Sequence, residues 1–178
     1  LSEIHAAISV GHARSLGLEL DDHESYIEEA SHLTTRIEDP EMVRFIADTL
    51  AESATMLASP ATETFLYNDL HGNNMAFNDD DERLVGIFDF GDAAFGDIHR
   101  EFAPLLSIHR GLFEATVDEY VSRSRLALSR RRMLLWYRIE RFADLAETID
   151  RPGHEEPQKI FREIEQWMAN PAIYSDDR

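Results

Sequence analysis

Apolar positions recur at helical spacing over most of this chain, with a short strand-like stretch near its middle. Leu1, Ile4 and Ile8 stand three and four residues apart, which predicts an amphipathic helix from residue 1 to about residue 16. A second helix is predicted within the acidic stretch 19–29. The chain is therefore expected to open with helices.

A third predicted helix has a defined start and a defined end. The Asp39 side chain can accept hydrogen bonds from free backbone N–H groups, and Pro40 fits the first turn because its missing donor is not needed there. The pair Ser59-Pro60 should end the helix. Its core-facing stripe consists of Met42, Phe45, Ile46, Leu50 and Leu57.

Short β-like runs occupy the middle of the chain. Strands are predicted over 62–67, 74–77 and 83–88, and the last two are joined by a polar turn at 78–81. This hairpin would place Asn74 at the start of one strand and Asp89 just past the end of the other. The two side chains could then converge on one ion.

From about residue 98 onward the pattern is helical again. Apolar residues repeat at three and four residues within 130–149 and again after Pro157, and the stretch 151–153 is expected to link these two helices. A chain of 178 residues is of single-domain size. We therefore expect an α+β fold that is mostly α-helical, with a small β-hairpin and room for one lobe.

The composition is strongly acidic, with 35 acidic against 17 basic residues and a formal net charge of −18. This balance argues against nucleic-acid or anionic-membrane partners, which need positive potential. An acidic surface commonly serves solubility, and the alternative is an acidic groove that attracts a cationic acceptor. There is no cysteine, and no apolar run approaches the roughly 18 residues of a membrane span. We expect a cytoplasmic protein.

Three side chains in the central stretch form a pattern suited to metal-assisted phosphoryl transfer. Asp69 is the candidate general base for an acceptor hydroxyl, while Asn74 and Asp89 are candidate Mg²⁺ ligands. Alone, Asp69 would be an ordinary turn residue and Asn74 an ordinary residue at the start of a strand. Asp89 ends an apolar run, where an unpaired charge would be costly unless a cation or donors met it.

Neighbouring polar residues have weaker assignments. His71 could steady the loop by a structural hydrogen bond, which we favour, or touch phosphate. Asp92 is assigned to loop bracing or acceptor binding, and Asp97 to capping the helix that follows.

The segments 68–74 and 87–92, with Gly96-Asp97 after them, resemble the aminoglycoside phosphotransferase and choline kinase group of protein-kinase-like small-molecule kinases. The start of the chain, 1–6, is similar to the helix that opens the C-terminal lobe of that family. The resemblance covers nearly the whole chain and is strongest from about 64 to 106. It implies an enzyme that uses ATP or GTP with Mg²⁺.

Two departures from the family pattern concern the same loop. The family usually has His where this chain has Tyr67, and Asp at the position aligned with Glu101. The first should alter how the loop is braced without removing any group that does chemistry.

A complete kinase of this kind also needs a phosphate-covering loop and a lysine that pairs the phosphates. No Gly-x-Gly-x-x-Gly pattern occurs, and the only lysine is Lys159. The resemblance therefore implies that residues 1–178 are a C-terminal catalytic and substrate-binding lobe, with the nucleotide-binding N-terminal lobe lying upstream.

Two functional classes remain open. The first is a kinase that phosphorylates a hydroxyl of a small molecule, such as an aminoglycoside-like, choline-like, sugar or amino-alcohol acceptor. The second is a non-catalytic binding or regulatory remnant that keeps the groove without turnover. In either case the chain should expose an apolar strip where the missing lobe would dock, and should tend to self-associate.

Overall fold

The computed structural model describes residues 1–21, 23–80, 83–150 and 156–170, and it has the mostly helical α+β fold that the sequence predicts. In the described ranges the α-helices are α1 Ser2–Ala7, α2 Val10–Ser15, α3 His23–Ser31, α4 Pro40–Leu57, α5 Leu105–Ile108, α6 Arg110–Ser124, α7 Arg130–Thr148 and α8 Glu156–Ala169. The strands are β1 Glu63–Leu66, β2 Met75–Phe77, β3 Leu84–Ile87 and β4 Ala94–Asp97. Short 3₁₀ helices occur at His32–Thr35, Gly72–Asn74 and Arg100–Phe102.

The chain forms two compact units, each built from two separate segments. The first unit comprises residues 1–21 and 61–128, and it holds all four strands. The second comprises the described residues of 22–60 and of 129–178, and it is helical. The candidate chemistry of residues 67–92 therefore lies in the first unit.

Two antiparallel pairs of strands organise the first unit. The predicted hairpin is present as β2 and β3, with Met75 opposite Ile87. The strand predicted before it, β1, pairs instead with β4, which the sequence pattern did not predict. Glycine is required at position 96 in β4, because a Cβ there would lie 2.9 Å from the Asp21 Cβ. The Gly-rich stretch after the hairpin is thus a strand packed closely against the N-terminal segment.

The predicted N-terminal helix is wrong in one respect, since it is broken into α1 and α2. Ile8 has an extended backbone at the end of α1. Ser9 is also extended, and its side chain accepts a hydrogen bond from the His12 N–H, which caps the new helix. A local serine cap therefore overrides the continuous apolar spacing.

The second unit confirms the remaining helix predictions. Asp39 accepts hydrogen bonds from the N–H groups of Glu41 and Met42, and α4 ends at Leu57, before Ser59-Pro60. Helix α7 packs against α3, α4 and α8. Its buried apolar face and the buried residues of α4 and α8 form the core of this unit: Met42, Ile46, Leu50, Met133, Leu135, Trp136, Ile139, Phe142, Leu145, Ile160, Ile164 and Trp167.

The predicted linker at 151–153 lies outside the described residues. Within the described ranges, no helix is both long enough and apolar enough to cross a membrane.

Candidate active site

The loop from Tyr67 to Asn74 connects the two strand pairs of the first unit. Asn68 adopts a left-handed backbone with φ 66°, which asparagine tolerates better than most residues. The loop then closes on itself, because the His71 N–H donates to the Asp69 carbonyl at 2.8 Å and the Asn74 N–H donates to the His71 carbonyl at 3.1 Å. These bonds turn the chain sharply enough to bring residues 69, 71 and 74 together.

Asp69, His71 and Asn74 form one hydrogen-bonded cluster. The Asn74 side-chain Nδ2 donates to the Asp69 carboxylate Oδ2, and the other carboxylate oxygen, Oδ1, lies 2.9 Å from the His71 Nε2. With its amide nitrogen directed at Asp69, Asn74 turns its amide oxygen away from that carboxylate. The sequence-predicted base and one predicted metal ligand are thus held side by side.

The hydrogen bonds of His71 assign its neutral tautomer. Its Nδ1 accepts from the Asn73 N–H at 3.2 Å, so Nε2 carries the proton that faces Asp69. Both ring nitrogens are therefore engaged inside the loop. His71 thus has hydrogen-bond partners within the loop, and the preference for a structural role over a phosphate contact stays a prediction.

Asp89 follows the hairpin directly and stands next to Asn74. The Phe88 N–H donates to the Asn74 carbonyl at 3.1 Å, which continues the β2–β3 ladder by one residue. Asp89 itself has a left-handed backbone with φ 64°, and its Oδ1 accepts from the Gly91 N–H at 3.3 Å. The hairpin thus brings the two predicted metal ligands to one end of the same ladder.

Asp89 lies just past the end of β3 as predicted, but it is not at the end of a buried strand, and the expected cost of burying its charge is wrong. Asp89 is exposed, and the strand before it is not buried: Leu84 and Val85 are 49% and 56% exposed. The carboxylate therefore needs no partner to offset desolvation. Its case as a ligand depends on its proximity to Asn74.

Tyr67 and Glu101 hold the loop 67–74 in place through hydrogen bonds to backbone groups. The sequence identified both residues only as departures from the family pattern. Glu101 is fully buried, and its Oε2 accepts from the Tyr67 N–H at 2.8 Å and the Asn68 N–H at 3.3 Å. Burial raises the pKa of Glu101 to about 7, although the two backbone N–H groups favour its charged form. The Tyr67 phenol donates to the Phe88 carbonyl. No local pattern signals these contacts.

Asp92 and Asp97 take different places. The Asp92 carbonyl accepts from the Asn68 Nδ2 at 3.2 Å, so its backbone braces the loop while its side chain is exposed. Asp97 belongs to β4, and its Oδ1 accepts from the His99 N–H at 3.1 Å, just before the 3₁₀ helix at Arg100–Phe102. The predicted capping role of Asp97 is wrong, because the N-cap of that 3₁₀ helix is His99, no side chain caps it, and Asp97 holds the His99 N–H before the helix begins.

The donor set fits magnesium chemically. Mg²⁺ is usually held by one or two protein oxygen ligands together with substrate phosphates and waters. The exposed carboxylate of Asp89 and the side-chain amide of Asn74, two residues joined by the end of the β2–β3 ladder, are ligand types of this kind. Across the residues that the structure describes, no group of three or more His, Asp or Glu could hold a metal.

A known protein family matches most of this chain. Residues 1–136 match the family described as the phosphotransferase enzyme family. Comparison with curated protein sequences gives no match.

Solved structures share the fold at low sequence identity. The GDP complex of wild-type aminoglycoside 2'-phosphotransferase-IIIa matches with a TM-score of 0.74 and 20% identity, over 96% of this chain and 60% of that one. The GDP complex of a point mutant of the same enzyme matches with a TM-score of 0.76 and 21% identity, over 98% and 60%. Macrolide 2'-phosphotransferase type I matches with a TM-score of 0.64 and 12% identity, over 92% and 55%. The chain thus spans about 60% of the length of the first two structures.

Proposed function

The chain belongs to the phosphotransferase enzyme family, and from that membership we propose that it is the catalytic lobe of a small-molecule kinase. The reaction would transfer the γ-phosphoryl group of ATP or GTP to a hydroxyl of the acceptor. The observation that carries the proposal is the hydrogen-bonded cluster of Asp69, His71 and Asn74, to whose Asn74 the hairpin connects the residue before Asp89.

Asp69 is proposed as the general base. Its carboxylate is only partly exposed, and the His71 and Asn74 side chains fix both of its oxygens. A carboxylate held in this way can orient an acceptor hydroxyl and take its proton as the phosphoryl group transfers. Because the loop supplies the orientation, little reorganisation is needed when the acceptor arrives.

Asn74 and Asp89 are proposed to hold Mg²⁺. When bound, the ion would neutralise the charge that develops on the nucleotide phosphates. Asn74 would offer its amide oxygen and Asp89 its exposed carboxylate. The GDP complexes of the aminoglycoside phosphotransferase support a guanine nucleotide as donor, and the resemblance to the family keeps ATP in the proposal beside GTP.

The acceptor class follows from charge and from the relatives. The net charge of −18 would favour a cationic, hydroxyl-bearing molecule over an anionic one. The solved relatives are named for aminoglycosides and a macrolide. We therefore propose an aminoglycoside-like or amino-alcohol acceptor.

The proposal includes a second, nucleotide-binding lobe outside these residues. It is supported by the share of the solved relatives that this chain covers, 60% and 55%, and by the single lysine in the sequence, Lys159. The same two facts favour the second candidate, a remnant that binds without turnover, if no such lobe is encoded upstream. The complete open reading frame decides between them.

Two site variants test the chemistry in the product of the whole open reading frame. Asp69→Asn should lower kcat by about 10²- to 10⁴-fold, because it removes the base, and should leave Mg-nucleotide affinity nearly unchanged. Asp89→Ala should weaken Mg-nucleotide binding measured by calorimetry. Asp79→Asn removes an exposed carboxylate in the hairpin turn and is the matched control. Near-normal kcat in Asp69→Asn would show that this residue is not the base.

A further inference from the structure

We infer that Tyr67 is a positioning residue: it fixes the segment 88–92, which contains Asp89, against the loop 67–74, which contains Asp69. This inference rests on the proposed function of those two carboxylates. Phe88, the residue before Asp89, has both of its backbone polar groups engaged. Its N–H donates to the Asn74 carbonyl at 3.1 Å, and its carbonyl accepts from the Tyr67 phenol.

These two bonds come from opposite ends of the candidate catalytic loop. Tyr67 stands two residues before Asp69, and Asn74 stands five residues after it. The peptide group that enters Asp89 is thus held between the start and the end of the loop that carries the base. A shift of either loop would break one of the two bonds.

The Tyr67 ring adds a third connection on the far side of Asp89. It meets the ring of Phe90 edge to face, with 4.9 Å between centroids and an interplanar angle of 67°. Asn68 adds a fourth, from its Nδ2 to the Asp92 carbonyl at 3.2 Å. Residues on both sides of Asp89 are therefore tied to the pair Tyr67-Asn68.

The contacts of Tyr67 and Asn68 with residues 88–92 help to hold an unfavourable backbone conformation. Asn68 and Asp89 both have left-handed φ values, 66° and 64°, which cost free energy in residues other than glycine. Such conformations persist when surrounding contacts hold them. Glu101 holds the Asn68 side, since its buried Oε2 accepts from both N–H groups, and the Tyr67 phenol holds the Asp89 side.

The position of the Tyr67 phenol also suits it to hold the segment 88–92. Tyr67 is fully buried, yet its hydroxyl ends at the backbone that precedes the exposed Asp89. Phenylalanine at this position would keep the ring and its contact with Phe90, and would remove the phenol's hydrogen bonds with the Phe88 carbonyl and with the Asn74 side chain. The variant Tyr67→Phe therefore removes the polar connections that the phenol makes to both loops, at Phe88 and at Asn74, and leaves the ring in place.

Tyr120→Phe is the matched control. Tyr120 lies in the same unit and is 5% exposed, and its phenol oxygen lies 2.8 Å from the His5 Nδ1 and not at the Phe88 carbonyl. Tyr67→Phe loses the phenol contacts with Phe88 and Asn74, and Tyr120→Phe loses the phenol contact with His5. They should cost similar stability, so any difference between them at residues 88–92 reports positioning.

The first measurement uses the 178-residue chain without metal or nucleotide. Backbone ¹⁵N relaxation should show order parameters at 88–92 falling from roughly 0.85 to below about 0.6 in Tyr67→Phe and staying unchanged in Tyr120→Phe. If residues 88–92 stay as ordered in Tyr67→Phe as in the wild type, the inference is overturned.

The second measurement titrates Mn²⁺ alone and follows paramagnetic broadening of the Asn74 and Asp89 signals. The concentration for half broadening should rise about fivefold in Tyr67→Phe, and should stay near the wild-type value in Tyr120→Phe. Unchanged Mn²⁺ binding despite a loosened loop would overturn the positioning role. If Mn²⁺ broadens neither signal in the wild type while the loop still loosens in Tyr67→Phe, the proposed metal site fails and the structural connection stands.

Discussion

Glu101 is a carboxylate that the fold removes completely from solvent, and only one of its two oxygens is used. Oε2 accepts two backbone N–H groups, while Oε1 is shielded and has no hydrogen-bond partner among the described residues. Burial raises its pKa from the usual 4.5 to about 7. The residue that holds the candidate catalytic loop therefore changes charge near neutral pH.

A pH dependence of stability follows from that raised pKa. Between pH 4.5 and pH 7 the folded protein binds a proton at Glu101 that the unfolded chain has lost, so the free energy of unfolding should fall as pH rises through this window. The loss would approach about 3 kcal/mol. Glu101→Gln cannot titrate, and it should lack this component of the slope.

The measurement is urea unfolding of both proteins across that window and about one pH unit above it. The difference between wild type and Glu101→Gln cancels the titration of the many surface carboxylates. Curves that run parallel across this range would contradict the raised pKa.

Whether a site residue could be predicted depends on how far apart in the sequence its contacts lie. Asp69, Asn74 and Asp89 could be predicted because their spacing within a loop and a hairpin is local. The contacts of Tyr67 with Phe88 and with Glu101 span 21 and 34 residues, and no periodicity encodes such distances. The local placement of these three residues could therefore be predicted and the contacts that hold their loops could not, while the catalytic and metal-binding roles stay predictions.

At the scale of elements, β4 shows how close packing selects glycine. A Cβ at Gly96 would lie 2.9 Å from the Asp21 Cβ and 3.2 Å from the Leu66 Cδ1. Asp21 cannot easily withdraw, because its N–H donates to the Phe95 carbonyl at 2.9 Å and its carboxylate pairs with the buried Arg100. Strand β4 and the N-terminal segment are thus in contact at Gly96 and Asp21, close to the backbone of both.

Gly96→Ala should therefore destabilise the protein by about 1–3 kcal/mol through overpacking. Gly86→Ala in β3 is the control, because a Cβ there would meet nothing within 4 Å. Urea unfolding of both variants measures the difference. Equal stability of the two would mean that β4 and the Asp21 segment can separate at little cost.

The elements also show where sequence patterns succeed. Helices α4, α7 and α8 were predictable because each has a long apolar stripe, and α4 has a capping residue as well. Strand β4 was not, since its four residues include two polar or glycine positions and its partner β1 lies far back in the chain. The break between α1 and α2 was missed because one capping serine outweighed a continuous spacing.

At the scale of the whole molecule, the hairpin and the loop after it expose much apolar surface. Large side chains here are 47–56% exposed: Phe77, Leu84, Val85, Phe88 and Phe90. This cluster is a candidate for the predicted apolar strip. Isolated apolar side chains on a surface are common, whereas several on one short hairpin are not.

We expect the 178-residue chain alone to bind Mg-ATP weakly, with a Kd in the millimolar range, because it lacks the lysine and covering loop that pair the phosphates. It should also self-associate through the exposed hairpin. Calorimetry and light scattering measure both, and Val85→Asp, which places a charge on the hairpin, should reduce the association. Micromolar binding by a monomer would show that the two-lobe proposal is mistaken.

The two units interleave along the chain, and this order bears on how the protein is made. Residues 61–128 complete the first unit before α7 has been synthesised, whereas α3 and α4 emerge early and pack against α7. Until Arg130–Thr148 leaves the ribosome, the apolar faces of α3 and α4 lack their main partner. Contacts between segments so distant in sequence form slowly. The second unit should therefore fold last, and its early helices are the part of the nascent chain that chaperones would meet exposed.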